Sequence, residues 1–278
     1  MSESEFSGRG LIGVVGGMGP RAGLDLVSRI LTETVAERDQ DHVPFVLFSM
    51  PGELPDRTGF LLGRTGVNPG PAIARQLDRM AEMGVTVAAI ACNTAHARPI
   101  FESLNEARRR SDAPLLLHLI DETAAFLRGT LPSARLVGVL ATPGTYRFRL
   151  YDDRLEQAGF EVIRPGDEVA AELSEAISNP EWGIKGRSSP VTERARDCVR
   201  RAVLNVIARG ADTVVLGCTE LPLAISDEDS FRVPLVDPGT IMARSLIRHA
   251  CPERLRPLEA GAGAGAAGNG SSGFGPET

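Results

Sequence analysis

Residues 84–92 read Gly84-Val85-Thr86-Val87-Ala88-Ala89-Ile90-Ala91-Cys92, and residues 210–218 read Gly210-Ala211-Asp212-Thr213-Val214-Val215-Leu216-Gly217-Cys218. Each is a glycine, a short apolar run of strand length and a cysteine, with the same step from glycine to cysteine. The two stretches lie 126 residues apart. Upstream of each lies a second matching stretch. Gly10-Leu11-Ile12-Gly13-Val14-Val15 pairs with Arg135-Leu136-Val137-Gly138-Val139-Leu140, and Gly19 and Gly144 follow at equal distance. Downstream, Pro114-Leu115-Leu116 pairs with Pro234-Leu235-Val236. The chain repeats itself.

Between these strands the pattern is helical. Strands are expected at Leu11–Val15, 45–50, 85–91, 115–120, 136–140, Glu161–Ile163, 213–216 and Leu235–Val236. Helices are expected from about Arg21, over 71–83, 151–158, 191–208 and 240–250. Strands alternating with helices imply βαβ units and a mainly parallel sheet. The fold class read from this is α/β, with two similar pseudo-symmetric lobes. Each lobe is a mainly parallel sheet flanked by helices, and the active site lies in the cleft between them. The lobes are assigned to 9–117, with 236–253 returning to it, and to 118–235. The Gly/Ala/Ser-rich stretch 259–278 cannot bury enough apolar area to offset its ordering entropy and is expected to be a disordered tail.

In open parallel sheets, ligands bind at the C-terminal edges of strands, which is where Cys92 and Cys218 fall. Two thiols facing one α-carbon suit inversion of configuration, because one serves as thiolate base while the other serves as thiol acid. A free thiol ionises near pH 8.5, so a helix N-terminus or another positive field must assist. Asn93-Thr94 and Thr219-Glu220 follow the cysteines and are expected to start helices there, whose exposed amides also suit a carboxylate. Cys198, within a helical pattern, and Cys251, near the C-terminal end of one, read as core.

The sequence resembles the aspartate/glutamate racemase family, in its aspartate-racemase branch. The resemblance rests on Gly16-Gly17-Met18-Gly19-Pro20, Pro55-Asp56-Arg57-Thr58, Cys92-Asn93-Thr94-Ala95-His96, Gly183-Ile184-Lys185 and Leu216-Gly217-Cys218-Thr219-Glu220-Leu221, in order over about residues 10–250. It implies a pseudo-symmetric fold, no pyridoxal phosphate or other cofactor, no metal and a homodimer. It implies Cys92 and Cys218 as the acid/base pair, with substrate contacts from Met18, Asn93, Thr94, Thr219 and Glu220. Arg57 and Lys185 would hold the side-chain carboxylate of an acidic amino acid, aspartate first and glutamate second. Glu220 stands where the glutamate branch has a histidine, and Ala91 where close relatives often have proline. Ser178-Asn179-Pro180-Glu181-Trp182 is also unusual and adjoins the Lys185 segment.

Two other classes stay open on sequence. Gly17-Met18-Gly19-Pro20-Arg21-Ala22 fits a dinucleotide-binding pattern, with Asp39 and Asp41 at a suitable distance for a ribose contact. A two-lobed binding protein without turnover is the other class, although binding alone requires neither cysteine. His96, four residues after Cys92, either tunes the thiol or bonds the backbone. Cys92 and His96 lack the partners of a tetrahedral zinc site.

Composition narrows the rest. The chain of 278 residues carries a formal net charge of −6, with 42% hydrophobic and 24% charged residues. This ordinary, mildly acidic balance argues against a nucleic-acid surface, and Arg108-Arg109-Arg110 reads as a solvated helix end. No apolar run is long enough to span a bilayer, and the acidic Met1-Ser2-Glu3-Ser4-Glu5 is not a signal peptide. A cytoplasmic protein with four free thiols, acting on a small amino acid and contacting neither nucleic acid nor membrane, is expected.

Overall fold

The computed structural model describes residues 10–226 and 228–258; the expected tail, 259–278, lies outside the described residues. Among the described residues, eight strands form two parallel sheets. The first holds β1 (Leu11–Val15), β2 (Phe45–Phe48), β3 (Val85–Ile90) and β4 (Leu115–Leu116), in the order β2-β1-β3-β4. The second holds β5 (Leu136–Ala141), β6 (Glu161–Ile163), β7 (Thr213–Gly217) and β8 (Leu235–Val236), in the order β6-β5-β7-β8. The second order is the first repeated, and the repeated sequences fall on equivalent strands. In register, Gly13 lies beside Ala88, and Gly138 beside Val214.

Among the described residues, ten α-helices cover the sheets: α1 (Pro20–Glu33), α2 (Arg57–Leu61), α3 (Gly70–Glu82), α4 (Arg98–Ala107), α5 (Leu119–Thr130), α6 (Pro143–Arg147), α7 (Leu150–Gln157), α8 (Asp167–Ser178), α9 (Glu193–Ala208) and α10 (Pro238–Ala250). Their starts follow local chemistry. Pro20 opens α1 at a position where a missing amide hydrogen costs nothing. The Thr192 hydroxyl caps α9 and the Asp237 carboxylate caps α10. Ala22, Leu26 and Ile30 form the buried stripe of α1 at helical spacing.

Gly13 and Gly138 show what the repeat conserves physically. A Cβ on Gly13 would come within 2.8 Å of the Met80 sulfur, and one on Gly138 within 2.8 Å of Val206 Cγ2. The absent side chain lets α3 and α9 close on β1 and β5 at the same point in each half. One apolar cluster runs through both halves, joining Val15 and Ile90 to Val139, Tyr151 and Val215. Helix α10 packs on α1 and β3 of the first half and on α5, and the Gly10 amide donates to the Ala250 carbonyl at 2.8 Å. The chain thus crosses between the sheets twice, through α5 after β4 and again between β8 and α10.

Two local expectations need correction. The strand read over 115–120 stops at Leu116, because Leu119 already opens α5 and the His118 side chain caps that helix. Neither cysteine stands at the head of a long helix. Asn93–His96 and Leu221–Ala224 are single tight 3-10 turns, interrupted by Ala97 and Ile225 in extended conformation. The backbone amides that follow each thiol thus belong first to a single tight turn.

Candidate active site

Cys92 follows β3 and Cys218 follows β7, both buried, at equivalent corners of the two sheets. The turns carrying them touch. Thr219 Oγ1 donates to the carbonyl of Ala91 at 3.3 Å, which joins the residue after one cysteine to the residue before the other. Both thiols lie near enough to Lys185 for their negative forms to raise its pKa, after the larger effect of Glu220.

Glu220 is the hub of the site. Its Oε2 accepts from the Cys218 thiol at 3.0 Å, and its Oε1 accepts from the Gly19 amide at 2.9 Å across the lobes. Lys185 Nζ stands 4.0 Å from Oε1. Burial pushes the carboxyl upward, but the Lys185 ammonium, the thiol, the Gly19 amide and Arg57 together hold it below its ordinary value, so it is ionised. The consequence for Cys218 is opposite. Burial first, and then the Glu220 charge, push its thiol well above the ordinary range, with Lys185 opposing. Cys218 therefore holds its proton at neutral pH.

Arg57 and Lys185 come from different halves and line one cavity of about 400 Å³ with Thr142 and Ile177. Arg57 opens α2, and its guanidinium is pinned by the carbonyls of Pro55 and Met18, each at 3.0 Å. Its Nε, buried, has no hydrogen-bond partner among the described residues. The Met18 side chain is fully buried, so its backbone carbonyl is its link to this cluster. Lys185 keeps its proton because the Glu220 charge raises its pKa. Together the two cations and Glu220 leave a local excess of one positive charge.

At the same cavity, Thr94 Oγ1 lies 3.0 Å from Thr142 Oγ1 and 3.3 Å from Thr145 Oγ1, a buried ring of hydroxyls drawn from both halves. Asn93 Oδ1 accepts from the Tyr151 hydroxyl. The seven expected substrate contacts and both cysteines thus gather at the paired sheet edges. Thr142, Thr145 and Tyr151 were missed. A threonine heading the five-residue α6 reads as a cap, and a tyrosine among helical residues reads as core. The repeat held the signal for the threonines, since Thr142–Thr145 follow β5 as the glycine loop follows β1.

His96 is a backbone-bonded histidine. Its Nδ1 lies 2.9 Å from the Cys92 carbonyl, and its ring packs against Phe101 and His118. Burial drives its pKa down to about 3, so it is neutral and, bonded to a carbonyl, protonated on Nδ1. Among the described residues no cluster of His, Cys, Asp and Glu suits a metal ion, and no helix is long and apolar enough to cross a membrane. The dinucleotide reading fails on geometry. β2 runs parallel to β1, so Asp39 and Asp41, which precede β2, lie at the edge opposite the Gly17–Gly19 turn. Asp41 is also engaged by Arg38 and Arg254. A ribose acid would have to follow β2.

Comparison with known proteins agrees with this geometry. The sequence profile of the Asp/Glu/Hydantoin racemase family matches residues 15–246. The chain is 34% identical over 175 residues to a glutamate racemase of Deinococcus radiodurans, covering 62% of this chain and 55% of that protein. It is 29% identical over 181 residues to one of Acidothermus cellulolyticus, covering 62% and 60%. The chain therefore spans under two thirds of the length of these curated relatives. Among solved structures, the aspartate racemase of Picrophilus torridus superposes with a TM-score of 0.71 at 27% identity, covering 87% of this chain and 94% of that one.

Proposed function

The chain belongs to the Asp/Glu/Hydantoin racemase family, and from that premise we propose that it interconverts the L and D forms of an acidic amino acid without a cofactor. Aspartate is the first candidate and glutamate the second. The observation that carries the reading is the pair of buried cysteines at equivalent strand ends, beside a cluster whose Arg57 and Lys185 outnumber Glu220 by one charge. One excess positive charge suits one side-chain carboxylate.

In this mechanism the side-chain carboxylate meets Arg57 and Lys185. Asn93, Thr94 and Thr219 receive the α-carboxylate and α-amino groups. In one direction the Cys92 thiolate removes the α-proton, the C–H electron pair delocalises into the α-carboxylate, and an S–H bond forms on Cys92. The Cys218 thiol then donates its proton to the opposite face and becomes the thiolate. The protonated state of Cys218 in the free protein matches this direction. The reverse direction starts from the exchanged pair, and the Lys185 ammonium offsets the Cys218 thiolate. Donors fixed around the α-carboxylate stabilise the charge that develops there.

The test is racemisation of an amino-acid panel followed by chiral chromatography with no cofactor added. Conversion of aspartate or glutamate is expected. Cys92→Ala and Cys218→Ala should each abolish it in both directions, while Cys198→Ala and Cys251→Ala keep most of it. In heavy water, deuterium should appear first on the newly formed enantiomer; equal early labelling of both would indicate a single shared base. The reading also includes a cytoplasmic homodimer, checked by light scattering and cell fractionation.

A further inference from the structure

Tyr151 is the largest fully buried side chain among the described residues, and it touches the residue after Cys92 and the residue before Cys218. It belongs to α7, in the second half of the chain. Its hydroxyl donates to Asn93 Oδ1 at 2.5 Å, one residue after Cys92. Its ring lies against the backbone one residue before Cys218, where a Cβ on Gly217 would come within 3.0 Å of Tyr151 Cε2. No larger residue than glycine fits there with the ring in place. One rigid side chain therefore spans from one strand end to the other.

The hydroxyl also decides what Asn93 presents. With Oδ1 occupied, the amide cannot turn over without losing that bond. Asn93 Nδ2 is buried and has no hydrogen-bond partner among the described residues. Buried N–H groups without an acceptor are rare and costly, and an arriving anion relieves the cost.

We propose that Tyr151 is a positioning residue. It sets the spacing of the Cys92 and Cys218 turns, and it aims Asn93 Nδ2 at the α-carboxylate of the substrate. The assignment rests on the racemase reading above. A phenol suits both tasks: the ring has only two torsions to fix, and the hydroxyl reaches across the cleft without carrying charge. Asn93 held this way grips the group on which charge builds in the transition state, so its misplacement lowers kcat as well as raising KM.

The experiment is a double-mutant cycle on L-aspartate. Tyr151→Phe keeps the ring against Gly217 and removes the hydroxyl. It is expected to fold with an unchanged circular dichroism spectrum and to lower kcat/KM about tenfold or more, with kcat reduced as well as KM raised. Asn93→Ala should show a similar fall in kcat/KM, and the double variant should be no worse than Asn93→Ala alone. Losses that add in full would mean that the hydroxyl acts on the fold rather than through Asn93, and would overturn the proposal. Asn93→Asp gives a test independent of Tyr151, since it keeps an acceptor for the phenol, removes the Nδ2 donor and sets a negative charge where the α-carboxylate is proposed to bind. It should lose affinity at least as severely as Asn93→Ala; retained affinity would overturn the proposal. If the parent chain racemises no acidic amino acid, the racemase reading falls and the proposal with it. If the parent is active and Tyr151→Phe matches it, the proposal falls alone.

Discussion

Glu220 raises the pKa of Cys218, by its charge and by accepting the thiol hydrogen bond. Glu220→Gln should therefore shift Cys218 alkylation to lower pH. The measurement is the rate of iodoacetamide modification against pH in a Cys92→Ala background, and an unmoved or upward midpoint contradicts the assignment. Arg57→Ala bears on the substrate. Loss of a charged partner in a desolvated site costs about 2–5 kcal/mol, so efficiency on aspartate and glutamate should fall far more than any activity on alanine. Arg57→Lys should rescue only in part, because an ammonium lacks the planar fork. Equal loss on all substrates would remove the acidic-substrate reading. At this scale the sequence showed residue types better than partnerships. Cys92, Cys218, Arg57 and Lys185 stand in motifs that can be read directly. The bonds from Gly19 to Glu220 and from Thr219 to Ala91 span 201 and 128 residues, and no local pattern encodes them.

Strands and long helices were legible because their apolar periods are local. Leu11–Val15 and Glu161–Ile163 are strands as read, and the long helix ending at Ala208 starts at Glu193 where 191 was expected. The turns after the cysteines were not legible, because cap-forming residues look alike before a full helix and before one tight turn. The glycine of each repeated strand is a legible feature with a measurable cost. Gly138→Ala would place a methyl 2.8 Å from Val206 Cγ2, and such overpacking costs about 1–3 kcal/mol. A lowered urea midpoint with an unchanged slope is expected. The turn holding His96 predicts acid sensitivity. His96 stays neutral in the fold down to about pH 3, whereas the unfolded chain takes up that proton near pH 6.5. The unfolded state thus binds more protons between these limits, and each pH unit below 6.5 costs about 1.4 kcal/mol of stability. His118, also held low chiefly by burial, adds in the same direction. His96→Gln should flatten the slope of urea stability against pH between 7 and 4; an unchanged slope would show that the buried imidazole is not its source.

The two halves share one apolar cluster through Ile90, Val139, Tyr151 and Val215, so they are expected to unfold together. Fluorescence of the lone tryptophan, Trp182, packed in the second half, and far-UV circular dichroism should give coincident transitions. Two separated transitions would show that the shared cluster does not couple the halves. The double passage of the chain between the sheets has a mechanical consequence. A body tied to another at one point can swivel in any direction, while a body tied at two points turns easily only about the line through them. If the halves part to admit substrate, the bonds between Gly19 and Glu220, Thr219 and Ala91, and Tyr151 and Asn93 are among those that cross between them, and α5 and the β8–α10 link are the two pins. Opening is then a swing about one axis, like a gate on a post. Arrival and departure of the ligand share that one coordinate, and stiffening either pin, for example with a proline at a compatible site, would slow both in the same proportion.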